Sequence, residues 1–300
     1  MARAYYCRED GLTPQGCGKA SRFSCLFHGW TYDNEGMLKG IAKQSQFGEL
    51  ERSTRGLTEL PCEERDGVII GILTPGERLN VDEWLGFTPG KILKSLDLEK
   101  AHYVGERRLK GPNWKLCAEG ANENYHLRTL HPYWKTVFVP DVYYAQQLGH
   151  HMLQAVCSPN IRELLNQPED QWDTEVHISP GLFLFPSTTI NKTYKNGAYG
   201  DFKGRFIISS RNLPGVAPDD STYVLSVLST VPLQTAEEIA LGDKILDTLL
   251  DVNKEDVSVL RGIEAALSSG ANQEVVFGRN ELACQYIHRS LSKLLGRDEQ

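Results

Sequence analysis

Hydrophobic positions follow different rhythms in different parts of the chain. Over residues 1–75 they come in short β-prone pieces, at 22–25, 30–32 and 67–73, separated by Gly, Cys and turn formers. Asn34-Glu35-Gly36 lies between two such pieces and reads as a hairpin loop, because Gly36 takes a positive φ at little cost. From 113 to 131, Trp114, Leu116, Cys117, Ala118, Ala121, Tyr125 and Leu127 recur at roughly helical spacing, and Pro132 closes the segment. This predicts a helix with a disturbed end. A weaker helical pattern spans 161–165. The stretches 181–185, 204–210 and 223–231 then predict neighbouring strands of one antiparallel sheet, with Pro214, Gly215 and Pro218 marking a joining loop over 212–220. Over 236–266, Ile239, Ile245, Leu246, Leu249, Leu250, Val257, Leu260 and Ile263 predict a long amphipathic helix, and Asn253 marks a point where it can break. No internal repeat is present. The pattern predicts an α+β protein, with a small β domain over 1–75 and an α+β domain over 76–300.

Composition narrows the partners. The 300 residues are 40% hydrophobic and 24% charged, as in a globular chain, and 32 basic against 39 acidic residues leave a net charge of -7. That balance attracts neither nucleic acid nor anionic lipid. The longest stretch poor in polar side chains, near 67–73, falls far short of the roughly 20 residues of a spanning helix, so no membrane segment is expected. Seven scattered cysteines, with no basic and apolar leader ahead of them, point to a reducing cytoplasm.

The sharpest chemical feature is Glu123-Asn124-Tyr125-His126 followed by His131. On a regular helix five residues turn about 500°, leaving the two imidazoles roughly 140° apart, so both meet one ion only where the helix loosens. Two imidazoles and one carboxylate form the facial triad of non-haem iron oxygenases, which leaves positions open for O₂. The third ligand has candidates in the C-terminal helix: Asp256 precedes Val257 and Leu260 and can point inward with them, whereas Asp247, Asp251 and Glu255 are better placed for solvent. A second constellation is Cys25-Leu26-Phe27-His28, with Cys7 upstream, which can present thiolates and an imidazole to one cluster or ion. His150 and His151, being adjacent, diverge and read as a loop or surface pair. His102, His177 and His288 read as isolated, hydrogen-bonded structural residues.

Taken together these motifs resemble a known family. Phe23-Ser24-Cys25-Leu26-Phe27-His28-Gly29-Trp30-Thr31-Tyr32-Asp33 is similar to the second half of a Rieske iron-sulfur motif. Asn113-Trp114-Lys115, then Glu119, Glu123-Asn124-Tyr125-His126 and His131-Pro132, resembles the iron motif of the large (alpha) subunits of Rieske non-haem iron, ring-hydroxylating oxygenases. The resemblance implies a truncated, Rieske-like [2Fe-2S] domain over 1–75. It also implies a helix-grip catalytic domain over 76–300, a curved antiparallel sheet around a long C-terminal helix. Mononuclear Fe(2+) would be held by His126, His131 and Asp256, and the [2Fe-2S] cluster by Cys7, Cys25 and His28. Glu123 matches the acid that carries electronic contact between subunits. The implied protein is an O₂-dependent mono- or dioxygenase of aromatic hydrocarbon catabolism, acting on a small, aromatic organic substrate. Its partners would be a ferredoxin or reductase and two further copies in a homotrimer, with or without a beta subunit. The sequence departs from the family at Glu9, which stands where the first motif has histidine, and Cys17 is a possible substitute ligand. A normal Rieske centre is therefore not expected. A redox-impaired helix-grip protein that binds an apolar small molecule is the alternative, while a zinc hydrolase lacks any HExxH motif.

Overall fold

One sheet dominates the described residues, which in this computed structural model are 20–25, 27–131, 139, 142–195, 202–271 and 274–297. The chain divides into two units, Met1–Trp84 and Leu85–Gln300. In the first, β1 (Arg22–Ser24), β2 (Thr31–Asp33) and β3 (Leu38–Gly40) form an antiparallel sheet, and β4 (Cys62–Arg65) pairs with β5 (Val68–Gly71). The expected turn at 34–36 is present: Gly36 has φ +80°, and Asp33 Oδ1 accepts from the backbone N–H of Glu35 and Met37 at 3.0 and 2.8 Å. A short helix, α1 (Val81–Leu85), runs across the division.

The second unit is built on seven antiparallel strands: β6 (His102–Gly111), β7 (Tyr143–Leu148), β8 (His151–Cys157), β9 (Ile178–Leu184), β10 (Thr188–Lys192), β11 (Phe206–Pro214) and β12 (Ser221–Ser229). Their spatial order is β6-β12-β11-β10-β9-β8-β7. The helices are α2 (Phe87–Ser95), α3 (Trp114–Gly120), α4 (Thr174–His177), α5 (Ala236–Ser268) and α6 (Leu282–Leu294). One sheet face receives α5, through Phe206, Val227, Ile245 and Leu246, and α6, through Met152, Phe183, Ala283 and Ile287. Each of the larger ones, Val, Leu, Ile, Phe or Met, contributes on the order of 1.5–3 kcal/mol of transfer free energy. The opposite face is also covered, since Leu182, Val224 and Ile207 are all buried. The fold is α+β, as the pattern of elements predicts. No helix among the described residues is long and apolar enough to cross a membrane.

Helix α5 begins with a capping box, in which Thr235 Oγ1 accepts from Glu238 N–H at 3.2 Å and Glu238 Oε2 accepts from Thr235 N–H at 3.1 Å. It then runs 33 residues without breaking at Asn253, whose side-chain amide donates to Leu249 O at 2.7 Å and so stays within the helix. Helix and strand approach closely at two glycines: a Cβ on Gly105 would lie 2.7 Å from Leu246 Cδ1, and one on Gly242 2.6 Å from Val104 Cγ1.

Other expectations are corrected. The helix over 113–131 is two pieces, α3 ending at Gly120 and a 3₁₀ turn at Tyr125–Arg128. Strand β11 reaches Pro214, so Asn212 and Pro214 pair in the ladder with Tyr223 and Ser221 rather than sit in a loop. His151 is not a surface residue: it is 1% exposed on β8, and its Nδ1 accepts from Phe185 N–H at 3.2 Å.

Candidate metal centre

Asn113 caps α3 by accepting from Lys115 N–H at 3.0 Å, and its own N–H donates to Glu264 on α5 at 2.7 Å. This pins the start of α3 to α5. After Gly120 the chain leaves the helix, and Asn122, 1% exposed, returns its side-chain amide to Ala118 O at 2.6 Å. Leu127 is buried within the 3₁₀ turn and anchors it, which fixes the stretch from His126 to His131 above α5. The loosened helix thus turns both imidazoles towards one point.

At that point His126, His131 and Asp256 each offer one donor atom, all within 4.8 Å of one another. His131 Nε2 lies 2.6 Å from Asp256 Oδ1, and His126 Nε2 lies 3.6 Å from the same oxygen. The rings are nearly perpendicular, at 82°, with centroids 5.2 Å apart. Each outer nitrogen is held by a carboxylate: His126 Nδ1 by Glu123, and His131 Nδ1 by Glu255 Oε2 at 2.7 Å. Glu123 also accepts from the backbone N–H of Tyr125 and His126. A carboxylate here only accepts, so each Nδ1 carries the proton and each Nε2 presents its lone pair to Asp256. Two acceptors 2.6 Å apart repel unless a proton or cation lies between them. The donor set, two neutral nitrogens and one carboxylate, therefore fits a divalent transition metal such as iron.

The same groups perturb one another's protonation, and a metal binding them would displace the protons that burial and charge favour. Burial raises Asp256 above the usual carboxylate range, opposed by the two histidines. Burial disfavours charge on His126, but the hydrogen bond and negative charge of Glu123, with Asp256, outweigh it and raise its pKa. Glu255 departs from expectation: although half-exposed, it faces His131 rather than solvent alone. Spacing gives no signal for it, since adjacent residues on a helix diverge by about 100°.

The trio lies on the wall of a cavity of about 620 Å³ between α5 and the sheet. Tyr143, Gln154, His177, Asn191 and Tyr223 line it from the sheet side. Burial pushes the Tyr223 phenol up to about 12, against hydrogen bonds to Ser210 and Asn253. His177, expected to be only structural, is hydrogen-bonded to Ser158 Oγ at 3.1 Å and also faces the cavity. Glu119 turns instead to α6, pairing with His288 Nε2 at 2.9 Å. In the first unit, Cys25 and His28 share the β1–β2 turn, closed by Cys25 N–H to Trp30 O at 2.7 Å and Gly29 N–H to Cys25 O at 2.8 Å. Backbone hydrogen bonds at His28 and Phe27 lower the Cys25 thiol, favouring thiolate. Cys7, Glu9 and Cys17 lie outside the described residues.

Known proteins are similar to this chain in sequence and in fold. Choline monooxygenase of Beta vulgaris is 27% identical over 191 residues, covering 59% of this chain and 40% of its own. The enzyme of the same name from Atriplex hortensis is 26% identical over 262 residues, covering 85% and 55% respectively. The large subunit of anthranilate 1,2-dioxygenase from Burkholderia cepacia is 26% identical over 122 residues, covering 38% and 29%. The matches thus span between 29% and 55% of these relatives' own length. Among solved structures, a quaternary ammonium Rieske monooxygenase superposes with a TM-score of 0.72 at 16% identity, covering 94% of this chain and 74% of that one. Naphthalene 1,2-dioxygenase from Rhodococcus sp. superposes with a TM-score of 0.65 at 16% identity, covering 97% and 79%. Residues 98–297 match the catalytic domain of the ring hydroxylating alpha subunits, and the chain belongs to that family.

Proposed function

We propose that this chain is the oxygenase component of an O₂-dependent system that hydroxylates a small aromatic substrate, with mononuclear iron on His126, His131 and Asp256. The observation that carries the reading is the convergence of these three donors on a cavity wall, with both outer imidazole nitrogens already bound by Glu123 and Glu255. When bound, ferrous iron would supply one-electron steps and open coordination positions for O₂. The protein's own part is to hold each imidazole in the tautomer that binds metal, to keep Asp256 buried, and to enclose the substrate. A cavity of about 620 Å³ is within the range of small-molecule sites, about 300–1,000 Å³.

The family's route would bring electrons from a ferredoxin or reductase through a Rieske cluster, with Glu123 as the bridge from a neighbouring copy; Cys7, Cys25 and His28 stand at three of its ligand positions, and Glu9 at the fourth impairs that route here. This implies a ring of copies, a homotrimer, with the small domain over 1–75 and the catalytic domain over 76–300. Light scattering at micromolar concentration tests the ring, and a strict monomer rules it out. Anaerobic reconstitution with ferrous iron tests the centre. One iron per chain is expected, and Ala at His126, His131 or Asp256 should sharply lower occupancy. Full iron retention in Asp256→Ala with loss in Glu255→Ala would move the carboxylate ligand to Glu255.

A further inference from the structure

The cavity wall opposite α5 carries an arrangement that neither the metal nor the fold requires. Gln154 on β8, Gly181 on β9 and Asn191 on β10 stand in register on three adjacent strands, so they share one sheet face. A Cβ on Gly181 would lie 1.8 Å from Asn191 Oδ1 and 3.1 Å from Gln154 Cγ. The missing side chain is therefore what lets the Asn191 carboxamide lie over the middle strand beside Gln154. Gln154 is only 6% exposed, and its Oε1 accepts from the Tyr143 phenol. Among the described residues no hydrogen bond is made by its NH₂, and Gln154 lines the cavity. Asn191 likewise has no hydrogen-bond partner for its carboxamide among the described residues, and it too lines the cavity. A third amide, Asn124 Nδ2 beside His126, is buried, has no partner among the described residues and lines the same cavity. An occupant that displaces water from these amide donors without accepting from them costs free energy.

We propose that Gln154 and Asn191, laid side by side across Gly181, are the specificity-determining residues of this cavity, and that they select a substrate bearing an uncharged carbonyl that accepts hydrogen bonds. The amide NH₂ groups donate to the carbonyl oxygen, while the rest of the substrate lies against Val156, Ile208 and Leu225. A carboxylate fits less well. It would be desolvated among neutral donors and would share the cavity with Glu123 and Asp256, while Lys244, the lysine on the wall, is exposed. A pure hydrocarbon would leave the amides unsatisfied. The inference rests on the proposed function in taking this cavity as the substrate site, but recognition by the amides needs no iron.

The test is a ligand-observed NMR titration of the full-length protein with benzamide, toluene and benzoate, iron-free and iron-loaded. Benzamide should bind at least tenfold tighter than toluene or benzoate. Gln154→Leu and Asn191→Leu should each weaken benzamide about tenfold while toluene binds at least as tightly as before. Gly181→Ala should displace the Asn191 amide and cost a similar factor, and adding Asn191→Leu to it should cost little more. Thermal melts of each variant separate loss of recognition from loss of fold, and Gly181→Ala, whose new methyl meets the end of a flexible side chain, is the variant that keeps the test open if a leucine variant fails to fold. Toluene or benzoate binding as tightly as benzamide, benzamide failing to bind at millimolar concentration, or unchanged benzamide affinity in folded variants would overturn the proposal. Amide-dependent binding without iron uptake would instead sink the oxygenase reading and leave this one standing.

Discussion

Removing the charge behind each imidazole should weaken iron unequally, because the two supporting carboxylates differ in exposure. Glu123 is 14% exposed and holds His126 Nδ1, whereas Glu255 is 55% exposed and holds His131 Nδ1. Losing a carboxylate that orients a metal-bound histidine lowers metal affinity by roughly 10- to 100-fold, or about 1.4–2.7 kcal/mol. Water screens an exposed acid and leaves a buried one close to full strength. Glu255→Gln should therefore fall near the lower end, about tenfold, and Glu123→Gln near the upper, about a hundredfold. Glutamine keeps an acceptor oxygen in both, so the comparison isolates charge from hydrogen bonding. Anaerobic competition for ferrous iron against a colorimetric chelator measures both constants, and repeating it at high salt should shrink the Glu255 effect more than the Glu123 effect. A Glu255→Gln protein that binds iron like the wild type, or one that loses more than Glu123→Gln, would refute the reasoning that the Nδ1 contacts order the site.

Gly242→Ala adds a methyl 2.6 Å from Val104 Cγ1 and 3.0 Å from Leu233 Cδ1, so overpacking should exceed the gain in helix propensity by about 1 kcal/mol and lower Tm by roughly 2–4 °C. A higher Tm would show that α5 can lift from β6. The hydrogen bond to Glu119 raises His288 above its ordinary value, against burial. A raised histidine contributes stability that is fully present below its unfolded pKa near 6.5 and is lost as pH rises through the folded value. Glu119→Gln should thus cost more stability at pH 6 than at pH 9 in urea titrations, and equal costs would remove the pair from the pH dependence. Reduced wild-type protein should give little Rieske signal by electron paramagnetic resonance, and Glu9→His should strengthen it; a stoichiometric signal with Glu9 in place would exclude that residue as the fault.

The candidate metal-binding trio was legible because its chemistry is local in sequence at one end and periodic at the other. His126 and His131 are five residues apart, and Asp256 precedes Val257 and Leu260 on the apolar face of α5. Strands were harder to read. In β12 all but Leu228 of Ser221–Ser229 are buried, because helices and cavity cover one face and further apolar side chains the other, so the alternation that marks a half-exposed strand is missing. In β10, Thr188-Thr189-Ile190-Asn191-Lys192 is too polar to read as an interior strand, yet Thr189 and Asn191 belong to the cavity wall. Polarity that obscures the strand is the polarity that equips the pocket. His151 misleads in the same way, since a histidine beside another at a turn looks solvated, while Phe185 N–H gives its ring a buried partner.

The two departures from the expected helices belong to one design. The segment from Gly120 to His131 has to leave helical geometry, because two imidazoles five residues apart on a regular helix point to different sides. Such a segment has few backbone hydrogen bonds of its own and would be a poor frame for a metal unless something rigid lay beneath it. That support is α5, which remains one helix through Asn253 and supplies Asp256 to the shared point and Glu255 to the back of His131. A break at Asn253 would have put the joint three residues before the carboxylate and loosened both contacts together. The Asn253 amide turns inward along the helix to Leu249 O, so the residue that most favours a turn is held within the helix, and the irregular loop is free to be shaped by its ligands.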